Sequence, residues 1–322
     1  MSPDPLTAPT LQEIRDASTL LAPHIVRTPL LRLDSGRSPK KIFLKLENLQ
    51  HNGSFKIRPL GNMLMNRDVA SLRHGIYTVS SGNSGAGVAW MARELGVAAT
   101  VYAPNDAPAN KVEVMREFGA QIQVLPPADW WECVEQGGHP TDPGLYVDAV
   151  RNPAAMAGNG TIGLEIVEQL PDVDTVFIPF GGGGLACGIA SAIRALKPDT
   201  RIIVAESDAA TPLGAALEAG KPVPVEFRPS FISGAGAPAV LPEMWPLIRE
   251  LVDAAVVSSL ADVADAMRLI FEANHVVAEG AGATALAAAL QAKDDTGRTV
   301  CIVSGGNIGP ELMCRVLQGD VP

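Results

Sequence analysis

The chain has 322 residues, 47% of them hydrophobic, enough to bury a sizeable core in one large domain or two moderate ones. Its 25 basic and 35 acidic residues leave a net charge of −10 with no basic run to offset it, which excludes nucleic acid and anionic membrane surfaces as main partners. The first ten residues carry neither a basic nor an apolar region, the longest apolar runs (281–290, for example) are too short to span a bilayer, and Cys133, Cys187, Cys301 and Cys314 lack CxxC spacing, so a cytoplasmic protein with reduced thiols is expected.

Thr10 and Glu13 have capping-box spacing and open the first helix. Strand-like runs follow at 41–46, 76–79, 100–102, 121–125, 175–178, 201–205, 255–257 and 299–303. Helical patterns at 57–66, 84–95, 109–118, 185–196, 262–273 and 281–291 lie between most of them. The alternation predicts an α/β fold of mostly parallel, twisted sheets covered by helices. The segment 126–153 is rich in Pro and Gly and carries Trp130-Trp131, which read as a packed surface anchor. One short helix and the return from a smaller domain to a larger one are expected there. The division is then 1–74 for the first part of the large domain, 75–146 for the small domain and 147–322 for the rest of the large one.

Chemistry-bearing residues fall at the ends of these strands. Ser54-Phe55-Lys56 follows the turn signal Asn52-Gly53 and precedes a helical pattern. Ser54 is expected to cap that helix, with Lys56 in its first turn. The helix dipole and partial burial both disfavour an ammonium there, and a lowered pKa suits a lysine that forms a Schiff base. Alone, Lys56 would read as a solvated lysine. Ser80-Ser81-Gly82-Asn83-Ser84-Gly85 follows the strand at 76–79, where small residues leave backbone N–H groups free for an anion such as a carboxylate. Gly181-Gly182-Gly183-Gly184 follows the strand at 175–178 and can form a concave donor nest. It is not a P-loop, for no Gly-Lys-Ser/Thr follows; Glu206, at the distance of a ribose-binding acid, keeps a dinucleotide site open on this loop alone. Ser304-Gly305-Gly306-Asn307 follows the last strand, and a serine there can donate to a neutral ring nitrogen. A lysine, a phosphate cradle and a small polar group together point to a phosphorylated aldehyde, pyridoxal 5′-phosphate (PLP). The five histidines are far apart and predict no zinc site.

In order along nearly the whole chain, these motifs resemble the fold-type II PLP enzymes (tryptophan synthase β-like), in particular the threonine/serine dehydratase and serine racemase group. The resemblance is carried by Arg27-Thr28-Pro29-Leu30, Lys45 to Gln50, Gly53 to Arg58, Ser80 to Asn83, Pro104 to Lys111, Gly119-Ala120, the tetraglycine, Glu279 to Ala283 and Ser304 to Asn307. It implies that Lys56 carries the cofactor as a Schiff base and shuttles a proton, that Phe55 flanks the ring, and that Asn83 bonds the ring oxygen. Gly181 to Gly184 would bind the phosphate and Ser304 the pyridine nitrogen. Ser80, Ser81, Gly82, Asn83 and Ser84 would hold the substrate carboxylate, with Ser81 a second proton donor on the opposite ring face. A serine does not hold the ring nitrogen protonated as a carboxylate would, which favours prompt loss of a β-leaving group. The implied reaction is dehydration and deamination of a 3-hydroxy amino acid, threonine or serine by default, to a 2-oxo acid and ammonia. A homodimer is implied by the resemblance alone.

Some positions depart from the family pattern. Ser84 and Ala86 stand where a histidine and a glutamine are usual, Pro59 replaces a glycine, and Gly158-Asn159-Gly160-Thr161 carries Asn for Gln. Tyr146-Val147-Asp148 replaces a His-Pro-Phe-Asp run, and Ser233-Gly234-Ala235-Gly236 an Ala-Asp-Gly segment. These changes bring in a less common substrate, a hydroxyaspartate-type compound or a hydroxyectoine-pathway intermediate. Some relatives bind a divalent cation through a glutamate and a nearby aspartate; Glu206 matches the first position and Pro212 stands at the second, so a divalent or monovalent cation site is at most Glu206 and weakened. Other readings are racemisation, β-replacement, a PLP-binding protein without turnover and, most distantly, a dinucleotide-dependent oxidoreductase. With little sequence after Ser304, no carboxy-terminal regulatory domain is expected.

Overall fold

The protein was analysed as a computed structural model, which describes residues 6–33 and 41–322. Ten strands appear among these residues: β1 (Leu30–Arg32), β2 (Lys41–Lys45), β3 (Ile76–Val79), β4 (Ala99–Pro104), β5 (Gln121–Leu125), β6 (Leu145–Tyr146), β7 (Thr175–Pro179), β8 (Arg201–Ser207), β9 (Ala254–Ser258) and β10 (Arg298–Ile302). They form two sheets, one ordered β1-β2-β10-β7-β8-β9 and one ordered β5-β4-β3-β6. Every pairing is parallel except β1 with β2, where Leu31 lies opposite Leu44.

Burial follows position in the sheet. Every residue of β7 is buried, as are all but the first of β8, because helices cover both faces of a parallel sheet. The edge strand β9 is mostly half-buried. One face packs Phe177, Cys301 and Leu44 against the helices Leu260–Asn274 and Gly280–Gln291. The other packs Val176, Ile178 and Val300 against Pro153–Gln169 and Gly184–Leu196. A third core lies around the four-stranded sheet and takes in Ile57, Leu60 and Leu64 from the helix Ile57–Leu64.

The capping box at Thr10 and Glu13 is formed. One expectation needs correction, and one helix was not foreseen. The helix after Ser54 starts at Ile57 with Lys56 at the N-cap, and the buried Ser54 hydroxyl has no hydrogen-bond partner, so Ser54 is not a cap. The segment 126–153 does hold one helix, Pro127–Gln136, but a second, 17-residue helix begins at its end, Pro153–Gln169. That helix was not expected, because it is apolar on most sides and carries no amphipathic period.

The order of the larger sheet assembles the site. The last strand, β10, enters between β2 and β7. The segment leaving β10 is thereby set between the chain leaving β2, which leads to Lys56, and the loop leaving β7, which is the tetraglycine. Such a break in strand order is where α/β folds leave a crevice at the carboxyl ends of the strands.

Candidate active site

A cavity at that crevice is walled by Phe55, Lys56, the glycines 181–184 and Ser304, with Ala149, Val150, Gly234 and Ala235 among its other lining residues. The pieces are tied through the backbone: Phe55 N–H donates to the Ser304 carbonyl at 3.0 Å and Gly306 N–H to the Gly53 carbonyl at 2.9 Å. Ser54 and Gly305 form an isolated antiparallel bridge. Ser304 is 4% exposed, and its side chain has no partner among the described residues.

Lys56 reaches into this cavity, with Nζ 4.8 Å from the centre of the Phe55 ring. Burial pushes its ammonium down to about 8, against the opposing pull of the Asp148 and Glu279 carboxylates. Asn52 Nδ2 and Ser54 Oγ, both in the turn that carries Lys56, are buried without partners. Buried polar atoms are rarely left so, and a bound polar group is one way to satisfy them.

The tetraglycine ends as the start of the helix Gly184–Leu196. Gly183, the N-cap, has φ +94°, and no side chain caps the helix, so its first N–H groups are free for an anion. The glycines are also spatially required. A Cβ on Gly182 would lie 2.6 Å from Val150 and one on Gly181 3.0 Å from the Gly234 carbonyl. The Asn159 amide donates to the Gly184 carbonyl at 3.1 Å and steadies the turn. An uncapped helix start, an adjacent lysine of lowered pKa and an unpaired serine hydroxyl suit a phosphorylated, aldehyde-bearing ring such as PLP.

The loop after β3 is distributed differently. Ser80 Oγ accepts N–H bonds from Gly82 at 3.2 Å and Gly85 at 3.0 Å, which closes the turn. Asn83 begins the helix Asn83–Leu95; its Oδ1 accepts from Asn307 Nδ2 at 3.0 Å and its Nδ2 donates to the Glu279 carboxylate. Ser80 and Ser84 line a second cavity beside the first, while Gly82 and Asn83 line a third behind them. Ser81 is partly exposed and lines none of these three.

Glu206 stands apart. Its two carboxylate oxygens accept N–H bonds from Leu213 at 2.8 Å and Gly214 at 2.9 Å, at the start of the helix Pro212–Ala219. Burial raises its pKa and those bonds partly offset the rise. Both oxygens are thus engaged by backbone N–H groups, and no group of three His, Cys, Asp or Glu suited to a metal occurs among the described residues.

Two groups given no role by sequence reasoning stand here. Lys111, from the helix Ala109–Glu117, donates to Glu279 at 2.8 Å and to Ser233 Oγ at 2.6 Å, and it is buried. Asp148 and Arg151 form a pair at 2.7 Å beside the second cavity. Lys111, Glu279 and Asn307 all lay in stretches that carried the resemblance, and that was their only signal.

The pattern described as "Pyridoxal-phosphate dependent enzyme" matches residues 21–305. The L-threonine ammonia-lyase of Geobacter sulfurreducens is 37% identical over 311 residues, covering 95% of this chain and 77% of that protein. The catabolic L-threonine dehydratase of Escherichia coli is 36% identical, covering 92% and 93%. Among solved structures, maize serine racemase aligns with a TM-score of 0.88 at 32% identity, covering 97% of this chain and 98% of that one. Family match, relatives and fold agree: the chain belongs to the PLP-dependent enzymes, in the fold-type II group of threonine dehydratases and serine racemases.

Proposed function

We propose that the protein is a PLP-dependent lyase that removes water and ammonia from a 3-hydroxy amino acid, with threonine or serine as the default substrate. The observation that carries this reading is Lys56: an amine of lowered pKa in a cavity between an uncapped helix start and a free serine hydroxyl. Gly181 to Gly184 would hold the phosphate on their N–H groups, Phe55 would pack on the ring, Ser304 would face its nitrogen and Asn83 its oxygen. When bound, PLP supplies the electron sink for charge at the substrate's α-carbon.

The chain's own residues do the rest. The loop Ser80 to Ser84 orients the substrate by its carboxylate. Lys56 takes the α-proton at Nζ, where burial, by pushing the amine's pKa down to about 8, favours the neutral form that a base needs. The β-hydroxyl leaves as water, the proton taken from the α-carbon balancing the loss, and the released enamine takes up water to give a 2-oxo acid and ammonia. Racemisation needs a second acid on the opposite face; that Ser81 lines none of the cavities supports elimination over it.

The division into 1–74, 75–146 and 147–322 belongs to the same proposal, supported by β3 to β6 all falling between Ile76 and Tyr146. Closure of the smaller part would bring Ser80 to Ser84 onto the substrate and exclude water. No helix among the described residues is long and apolar enough to cross a membrane. A cytoplasmic location is our reading from the composition and a homodimer our reading from the resemblance; sedimentation would test the second.

Lys56→Ala should abolish steady-state release of 2-oxo acid from threonine, serine or any other 3-hydroxy amino acid the parent accepts. A variant that retains the parent's rate would remove Lys56, and this mechanism, from consideration.

A further inference from the structure

Glu206 has no part in the proposed reaction, and the resemblance offers it one task, a share in a divalent cation. Its surroundings do not fit that task. A hard cation such as Mg²⁺ or Ca²⁺ takes about six to eight oxygen ligands. Glu206 is 3% exposed, and its two oxygens already accept the N–H groups of Leu213 and Gly214, whose hydrogens carry the wrong sign to stand beside a cation. Pro212 occupies the second ligand position and has no side-chain oxygen. The carbonyls of the turn between are engaged as well. Ser207 accepts from Ala210 N–H at 3.1 Å, Ala209 from Arg228 N–H at 2.9 Å and Thr211 from Ala215 N–H at 3.1 Å. The Asp208 carbonyl accepts from the Arg228 guanidinium at 2.6 Å, and the Asp208 carboxylate lies 3.7 Å from the same group. The cation of this turn is thus an arginine.

Glu206 acts on a helix instead. Thr211, at the N-cap of Pro212–Ala219, makes no side-chain cap, and Glu206 reaches from β8 to accept the N–H groups that a cap would take. A carboxylate there also meets the positive end of the helix dipole. This brace stands directly behind the cofactor cavity. Ala205, the residue before Glu206, accepts Phe180 N–H at 3.0 Å, and the Phe180 carbonyl accepts Gly236 N–H at 2.8 Å. Ala210, bridged to Ser207 in the turn that Glu206 closes, packs against Gly236, where a Cβ would lie 3.4 Å from the alanine methyl. Gly234 and Ala235, just before it, wall the cavity, and a Cβ on Gly181 would lie 3.0 Å from the Gly234 carbonyl. Moving the helix start therefore moves the turn 207–211 and, through it, the wall on which the tetraglycine packs.

We infer that Glu206 is a positioning residue for the cofactor cavity, that the start of the helix Pro212–Ala219 takes on it the place a divalent cation has in some relatives, and that the enzyme therefore holds PLP and turns over without such an ion. This rests on the cofactor and is independent of which amino acid is the substrate.

The test takes the holoenzyme through dialysis against a chelator and then adds Mg²⁺, Ca²⁺ or Mn²⁺. Its unfolding midpoint, its visible cofactor absorption and its ammonia release from any 3-hydroxy amino acid it accepts should stay unchanged throughout. A resident ion in about hundredfold excess over its dissociation constant would instead raise the midpoint by several degrees. Glu206→Gln keeps one acceptor and turns an amide NH₂ against the other N–H group. Its affinity for PLP, titrated into cofactor-stripped protein well below the unfolding midpoint, should fall by about tenfold, and none of the three ions should restore it. Glu206→Asp, which keeps the charge and withdraws it by one methylene, should show a smaller loss and carries this arm if the first variant does not fold. A parent that loses cofactor, rate or stability to the chelator and regains it with an ion would overturn the inference. So would variants that bind PLP as the parent does, or that an ion restores.

Discussion

Burial, more than neighbouring charge, makes Lys56 reactive, since the nearby carboxylates oppose the shift that burial produces. Below a pH of about 8 the side chain is an ammonium, and above it a free amine. Uptake of PLP by cofactor-stripped protein should therefore rise about tenfold per pH unit up to that point and then level, read as growth of visible absorption. A midpoint near the ordinary lysine value of 10.5 would show that burial does not act on this group. Next to it along the chain, Arg58 is fully buried and bidentate on Glu47, at 2.7 Å and 2.8 Å, with Glu165 and Lys45 completing two charge pairs. Glu47→Gln leaves a buried guanidinium short of a partner and should cost about 3–5 kcal/mol in denaturant unfolding. Burial alone would raise the Glu47 carboxyl, but Arg58 and Lys45 overcome it and its pKa falls below 4.5. The folded value thus lies below the unfolded one. This stabilisation is complete above pH 4.5 and is lost as pH falls through the lower folded value. The tetraglycine stood out in the sequence because a glycine run is a local signature, whereas Lys56 alone reads as a solvated lysine and drew notice only beside the other motifs. Ser54 was misread because Ser before a helical pattern looks like a cap whether or not its hydroxyl faces the helix.

All strands but the short β1 and β6, and most helices, could be located from periodicity to within a residue or two, since β-branched runs and amphipathic faces are local properties. The helix Pro153–Gln169 escaped because its glycines argue against helix locally, and their reason lies in other elements. A Cβ on Gly158 would run into the Arg58 carbonyl, and one on Gly163 would lie 2.8 Å from the Ile189 carbonyl. The glycines let this helix pack closely on Ile57–Leu64 and Gly184–Leu196, the two helices that begin at Lys56 and at the tetraglycine. Gly158→Ala should destabilise the protein by about 1–3 kcal/mol despite the better helix propensity of alanine, because backbone atoms cannot give way. Gly160→Ala meets only the Ile14 side chain and should cost less. Unfolding midpoints measured side by side check the order; equal midpoints would mean that the helices separate without strain.

At the scale of the molecule, two sheets meet across the site, and Lys111 links them. It comes from the helix that follows β4 in the smaller sheet and pairs with Glu279, at the N-cap of a helix packed on the larger one. The same carboxylate accepts from Asn83, so one acid ties down both helices of the smaller part that border the cavities. No sequence pattern could reveal this, because the partners are 168 residues apart and each alone reads as a solvated charge. If the pair holds the two parts closed over the substrate, Lys111→Gln should lower kcat/KM by at least about tenfold, roughly 1.4 kcal/mol of lost closure. The visible absorption of the bound cofactor should persist, since Lys111 lines none of the walls around Lys56. Hydrogen exchange should separate closure from local damage. In the parent, amides at 76–136 should slow when substrate is added; in the variant they should exchange at the substrate-free rate. Unchanged kcat/KM with normal slowing would place the closing contact elsewhere along the cleft.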